Sequence, residues 1–175
     1  SFTFIVFNGS VADRFGIESD SAGDHIRCHV TQPLIVGVGV SAGVWVAVGN
    51  GAATSGRYDG SDSVLRLTPT LSRRLDFFAP SSWGRQNAAD QDLGSTGPLL
   101  GGSERGLVSG KDGRVYLLNS RRLGGIGGQL ASVGGCAGFG GLAYHGALHA
   151  AFVPCTSGVL RVDVGSRTLR KRWQV

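Results

Sequence analysis

Residues Gly158-Val-Leu-Arg-Val-Asp163-Val-Gly165-Ser-Arg-Thr-Leu-Arg-Lys-Arg-Trp173 decide how the chain is read. They spell an exposed strand, a tight polar turn and a return strand closed by a tryptophan. Weaker copies of the phrase occur twice upstream, so the chain reads as an array of β-units. Self-similarity of this kind governs the whole fold and is settled before anything else.

Working outward, strand-like runs recur at Phe2–Phe7, Leu34–Val40, Val44–Val48, Val64–Leu67, Leu75–Phe78, Arg114–Leu118, Ala151–Val153 and Val159–Val164. Most are bounded by Gly, Pro, Asn, Asp or Ser, the punctuation of strands joined by turns. Helical periodicity is poor throughout. Val115 and Leu117 alternate with Tyr116 and Leu118, so both faces of that strand are apolar. Such strands belong inside stacked sheets. Aligned units cover about 33–80, 94–131 and 136–175, each read as four strands. That is the layout of a propeller blade. Thr68, Asn119 and Asp163 fall at equivalent polar turns, where a short side chain bonds nearby backbone N–H groups. Phe77 or Phe78, Leu130 and Trp173 fall at equivalent closing positions, where a large apolar side chain covers the gap between blades. The fold class is therefore all-β: three to four four-stranded antiparallel blades of a β-propeller, with residues 1–32 either a partial blade begun by Phe2–Phe7 or an N-terminal segment outside the pattern.

Composition agrees. Thirty glycines among 175 residues suit short strands and many turns. No apolar run approaches the roughly 20 residues that span a bilayer, so no transmembrane segment is expected. The segment Phe2–Phe7 is too short for the core of a signal peptide. The net charge of +5 is carried almost wholly by arginine, Lys111 and Lys171 being the two lysines. The arginines are scattered over strand ends and turns. They form no basic strip interleaved with aromatics, the arrangement that single-strand binders use, so no nucleic-acid partner is expected.

The unit resembles the blade of the quinoprotein-dehydrogenase-like (PQQ-like) β-propellers. Val162 to Trp173 is similar to their tryptophan-docking phrase, with Asp163 and Trp173 in the structural Asp and Trp roles and Gly165-Ser166 where Thr-Gly is usual. Asn87-Ala-Ala-Asp90-Gln-Asp92-Leu-Gly-Ser-Thr-Gly-Pro98 resembles a blade entry in secreted bacterial members, as do Gly110–Gly113 and Leu123–Gln129. The resemblance covers about 44–173. Family rings usually close with more blades than this, so it implies further blades or self-association. It also implies PQQ and Ca²⁺ as possible cofactors, although no residue here maps onto the quinone site, and the catalytic and cofactor-binding residues stay unassigned.

Asp90 and Asp92, beside Asn87, form the most site-like polar cluster. On a strand, two acids two residues apart point the same way and suit a hard cation such as Ca²⁺. The competing reading is that they cap a turn before Gly94-Ser-Thr-Gly97. Of three cysteines, Cys136 and Cys155 border strand-like segments of one unit and could face each other, leaving Cys28 over; the alternative is buried free thiols. A bridge implies an oxidising compartment. The adjacent-cysteine pair of some quinoprotein enzymes is absent. His25-Ile-Arg-Cys28-His29 has His25 where a haem-attachment motif has its first cysteine, and a zinc site would need His145 or His149 as well. The glycines of 106–113 and 124–128 match neither a phosphate loop nor a dinucleotide fold, and read as turn residues. Asn8-Gly-Ser10 is a glycosylation signal or a hairpin turn.

The functional expectation is an extracytoplasmic (periplasmic or secreted) module, non-catalytic, presenting a rigid binding or scaffold surface to a protein or small molecule. The alternative is part of a PQQ-dependent dehydrogenase oxidising alcohols or sugars.

Overall fold

The computed structural model describes residues 43–100 and 104–175, together with the backbone of three short strands before them. Of these, β1 (Ile5–Asn8) and β2 (Val11–Arg14) pair antiparallel with Asn8 opposite Val11, the register of a tight hairpin. Other expectations for residues 1–32, including Cys28 and the His25–His29 stretch, lie outside the described residues.

A first antiparallel meander follows: β3 (Leu34–Val36), β4 (Gly43–Val48), β5 (Ser63–Leu67) and β6 (Arg74–Ala79), each pairing with the next. The short helix α1 (Trp83–Ala89) leads to β7 (Thr96–Gly97). A second meander is built from β8 (Leu99–Leu100), β9 (Arg105–Ser109) and β10 (Arg114–Asn119). The chain then detours through β11 (Gly125–Ile126), which lies parallel beside β6, before β12 (Ala131–Gly134) completes the sheet. β13 (Gly140–Gly141) lies parallel to β7. The third meander is β14 (Ala143–His145), β15 (Ala150–Cys155), β16 (Gly158–Val164) and β17 (Leu169–Gln174). The protein is all-β apart from α1 among the described residues, and it contains four-stranded antiparallel sheets.

Packing explains why each sheet holds. In β10, Val115 and Leu117 join Leu107 against Ala151, Val153, Leu160 and Val162 of the third meander. The alternate residues Tyr116 and Leu118 join Val108 against Trp45, Val64 and Phe78 of the first. The second sheet is thus dry on both sides. Burying a side chain of this size stabilises the fold by about 1.5–3 kcal/mol relative to leaving it in water. The far face of the first sheet carries a third buried cluster, Val44, Val46 and Leu67. The far face of the third sheet is different: Val159 and Trp173 stand out from it, exposed.

Turn chemistry is local. Asn119 Oδ1 accepts the backbone N–H groups of Arg121 and Arg122 at 2.8 and 3.2 Å. Thr68 Oγ1 accepts that of Arg73 at 3.2 Å. Asp163 does not work this way. It lies within β16 opposite Arg170, and its carboxylate is held by the Arg161 and Arg172 side chains. Two further expectations need correction. The last strand of the second meander starts after Leu130, where the sequence suggested the unit would end. A helix occupies 83–89, where none was expected. Its seven residues contain Gly84 and no apolar stripe, so periodicity could not reveal it. Tertiary contact holds it instead. Trp83 packs edge-on against Tyr58 at 5.1 Å, and Gly84 sits so close to the Thr54 carbonyl that a Cβ would overlap it.

Candidate functional site

Polar side chains converge at one end of the first two meanders, where the long β4–β5 loop, α1 and the β9–β10 turn meet. The loop is organised by Asp59, whose carboxylate accepts Ala53 N and Ser61 N at 3.1 Å each. Asn87, on the last turn of α1, ties helix to loop. Its Oδ1 accepts Gly51 N at 2.9 Å, and its Nδ2 donates to Ala53 O at 2.6 Å and Ser61 Oγ at 2.7 Å.

Asp90 is not on a strand. It terminates α1 in the left-handed region with φ of 53°, and Asp92 follows in the connecting loop. Lys111, from the β9–β10 turn, reaches both: Nζ lies 2.7 Å from Asp92 Oδ2 and 3.4 Å from Asp90 Oδ2. The hydrogen bond to Asp92 holds the ammonium above its usual pKa. Asn50 Nδ2 donates to the other Asp90 oxygen at 2.5 Å. The three residues expected to suit Ca²⁺ therefore turn their polar atoms to protein partners, and the cation between the two acids is a lysine. They do not fit a calcium cage. Among the described residues no group of three or more His, Cys, Asp or Glu is placed to hold a metal ion.

Beside this cluster Asp62 is fully buried, with φ of +43°. Its Oδ1 accepts Leu93 N at 3.3 Å, while Oδ2 finds no donor among the described residues. Burial pushes its pKa up to about 7, and the nearby charges of Asp92, Asp112 and Asp59 add to the effect.

A cleft of about 550 Å³ opens on the other side of α1. Ser82, Arg85, Gln86 and Gln91 line it from the helix and its flanks, Asp112, Gly113 and Arg114 from the β9–β10 turn, and Gly134 and Gly135 from the end of β12. Gln86 is 1% exposed. Its Nε2 donates to Asp112 Oδ2 at 2.7 Å, while its Oε1 finds no donor among the described residues. The Tyr116 hydroxyl also donates to Asp112 Oδ2, and Asp112 Oδ1 accepts Arg114 N at 3.1 Å. Burial raises the Asp112 pKa, and burial next to that carboxylate raises that of Tyr116. Arg114 Nη2 donates to Ser132 Oγ at 2.7 Å. Gly113, with φ of +75°, turns the chain between Asp112 and Arg114 in a conformation that glycine adopts freely.

The sequence offered no route to this cleft. Gln86 has no local signature, and Asp112-Gly113 reads as a plain turn. The other singled-out residues sit elsewhere. Cys136 and Cys155 form a disulfide with Cα atoms 5.8 Å apart, linking the approach to β13 with the end of β15. Trp173 packs on Phe152 with ring centroids 6.1 Å apart. His145 Nδ1 accepts Leu148 N at 3.3 Å in the β14–β15 turn, and His149 ends that turn. No helix among the described residues is long and apolar enough to cross a membrane. No family model and no curated protein matches the chain.

Proposed function

We propose that the three meanders are blades of a PQQ-like β-propeller segment, and that the segment is a non-catalytic, extracytoplasmic binding or scaffold module. One observation carries this reading: the middle sheet is dried on both faces by its sequence neighbours, the relation that blades in a ring have to one another. The Cys136–Cys155 bridge supports an oxidising compartment, where disulfides persist. Closing the ring takes further blades or a second copy of the chain. The end bearing α1 and the β9–β10 turn is the binding end, since that is where loops diverge and a polar cleft opens.

Small-angle scattering with light scattering tests the architecture. A compact stack of broadside sheets is expected, and a profile of one extended flat sheet refutes the blades. The non-catalytic part is tested by incubation with PQQ and Ca²⁺ followed by dye-linked oxidation of alcohols and aldoses. Turnover above the unloaded protein overturns it in favour of a dehydrogenase.

A further inference from the structure

We infer that the free edge of β17 receives an extended acidic peptide as an added strand. This surface belongs to the third sheet, apart from the α1 end, and the inference goes beyond the module reading. Three observations carry it.

The first is an open hydrogen-bonding edge. β17 ends its sheet, and among the described residues no strand pairs with its outer side. Val159 and Val175 exchange both backbone bonds, at 2.6 and 3.0 Å, so Gln174 at the next position points its N–H and C=O away from β16. Val164 N–H donates to His149 O at 2.7 Å, on the far side from β17. Leu169 opposite Val164, and Lys171 opposite Val162, therefore also point outward. No backbone bond reaches the outward groups of Leu169, Lys171 or Gln174 among the described residues. A row of alternating donors and acceptors is what a peptide backbone matches, and a polysaccharide or phosphate chain does not.

The second is a precedent within the molecule. β6 closes the first meander as β17 closes the third, and the outer edge of β6 already holds an added strand. β11 lies along it, with Gly125 beside Phe78 and Ile126 beside Ala79, and Gly127 N–H donates to Ala79 O at 2.7 Å.

The third is charge. Residues 158–175 carry five basic side chains against one carboxylate, which is four of the five net positive charges of the chain. Asp163 engages Arg161 and Arg172, while Arg167, Arg170 and Lys171 form no ion pair among the described residues. Side chains of an added strand stand directly beside those of the edge, where opposite charges attract and like charges repel. A second copy pairing through its own β17 would bring its basic residues to the same edge. The charges that deter self-pairing thus select an acidic partner. Trp173, exposed on the same strand, adds an apolar contact beside the charged positions.

Titration of the full chain at pH 7 and low salt with an acetylated, amidated octapeptide of glutamate interspersed with valine and tyrosine tests the inference. Saturable one-to-one binding is expected. At saturation, amide exchange at Lys171 and Gln174, followed by NMR, should slow by about tenfold or more, while Arg170 and Trp173, which face β16, change less. The peptide with glutamine for glutamate should bind about tenfold weaker or worse for want of charge, and the peptide N-methylated throughout likewise for want of donors. The double variant Arg167→Glu, Lys171→Glu reverses two charges that hold no carboxylate among the described residues. It should bind the glutamate peptide about tenfold weaker or worse, and bind the matching lysine peptide instead, a gain that an unfolded chain would not show. Absence of binding by the glutamate peptide overturns the inference, as does equal binding of the N-methylated peptide or a double variant that keeps the parent's preference. Binding that leaves exchange at Lys171 and Gln174 unchanged, and that a sulfated oligosaccharide of equal charge matches, overturns it in favour of a surface that reads charge alone. These outcomes leave the module reading standing, because that reading falls to the scattering profile or to dye turnover.

Discussion

In the second meander, β10 buries Val115 and Leu117 on one side and Tyr116 and Leu118 on the other, whereas in the third, β16 buries Leu160, Val162 and Val164 and turns Val159, Arg161 and Asp163 the opposite way. Both sheets share a strand plan; they differ in what lies over them. The closing residues show the consequence. Phe78 is sealed between the first and second sheets, tilted against Tyr116 at 5.4 Å. Leu130 packs between the second and third. Trp173 lies on the third sheet's open face and stays 40% exposed. Equivalent positions in a repeat are therefore core or surface according to the neighbour, and their energetic weight follows the neighbour as well.

The largest effect is expected where the cover is complete. Phe78→Ala should cost about 3–5 kcal/mol, the usual range for emptying an aromatic site in a packed core. Urea denaturation followed by far-ultraviolet circular dichroism measures it. A loss below about 1 kcal/mol would mean that the first and second sheets are not packed as described. Next comes the disulfide. It closes a loop of 19 residues against the third meander, the sheet with a single packed face. Replacing both cysteines by serine should cost about 3 kcal/mol on the chain-entropy account. Hydrogen exchange should then rise in β14–β17 ahead of β9 and β10. Uniform loss of protection across all strands would show that the two meanders unfold as one unit, and the contrast between them would vanish.

The sheets were legible for a simple reason. Val44–Val48, Val115–Leu118 and Val159–Val164 are short, apolar and punctuated by turn residues, so their pairing partners follow in order. The site was not legible, because its parts are far apart in sequence. The acids at 90 and 92 are visible to the eye, yet Lys111, about twenty positions on, decides what they do. α1 gives no periodic signal because Trp83 and Gly84 find their partners in the β4–β5 loop rather than along a helix stripe. Polar residues that work through tertiary contact leave no local trace. The buried amide of Gln86 is one such residue.

The covered end of the first two sheets also carries a pH liability opposite in sign to that of the open face, where the Arg172 hydrogen bond holds Asp163 below its usual pKa. Asp62 titrates near 7 when folded, above the 3.8 of an unstructured aspartate. Between those values the folded protein holds a proton that the unfolded chain has released. Stability from this group is therefore fully present below about pH 4 and is lost as pH rises through about 7. Asp112 is displaced in the same direction, also by burial. Each factor of ten in proton affinity between the folded and unfolded chains corresponds to about 1.4 kcal/mol. Asp62→Asn keeps an oxygen for Leu93 N, and should raise stability by roughly 2 kcal/mol at pH 8 with little change at pH 4. Melting temperatures across that range test it. Parallel curves for the two proteins would rule out the charged form as the source of the penalty.

The smallest effect should come from Trp173→Ala. The ring keeps 40% of its surface in water and touches Phe152 on a sheet face that none of the described residues covers, so the loss should be about 1 kcal/mol. This makes Trp173 a gauge of its own surroundings. If the cost instead matches that of Phe78→Ala, the open face is covered in solution. Repeating the denaturation at two protein concentrations a hundredfold apart then identifies the cover. A midpoint that rises with concentration for the parent chain but not for Trp173→Ala assigns the cover to a second copy. A midpoint independent of concentration in both, with the cost near 1 kcal/mol, leaves the third sheet as the uncovered member of the stack.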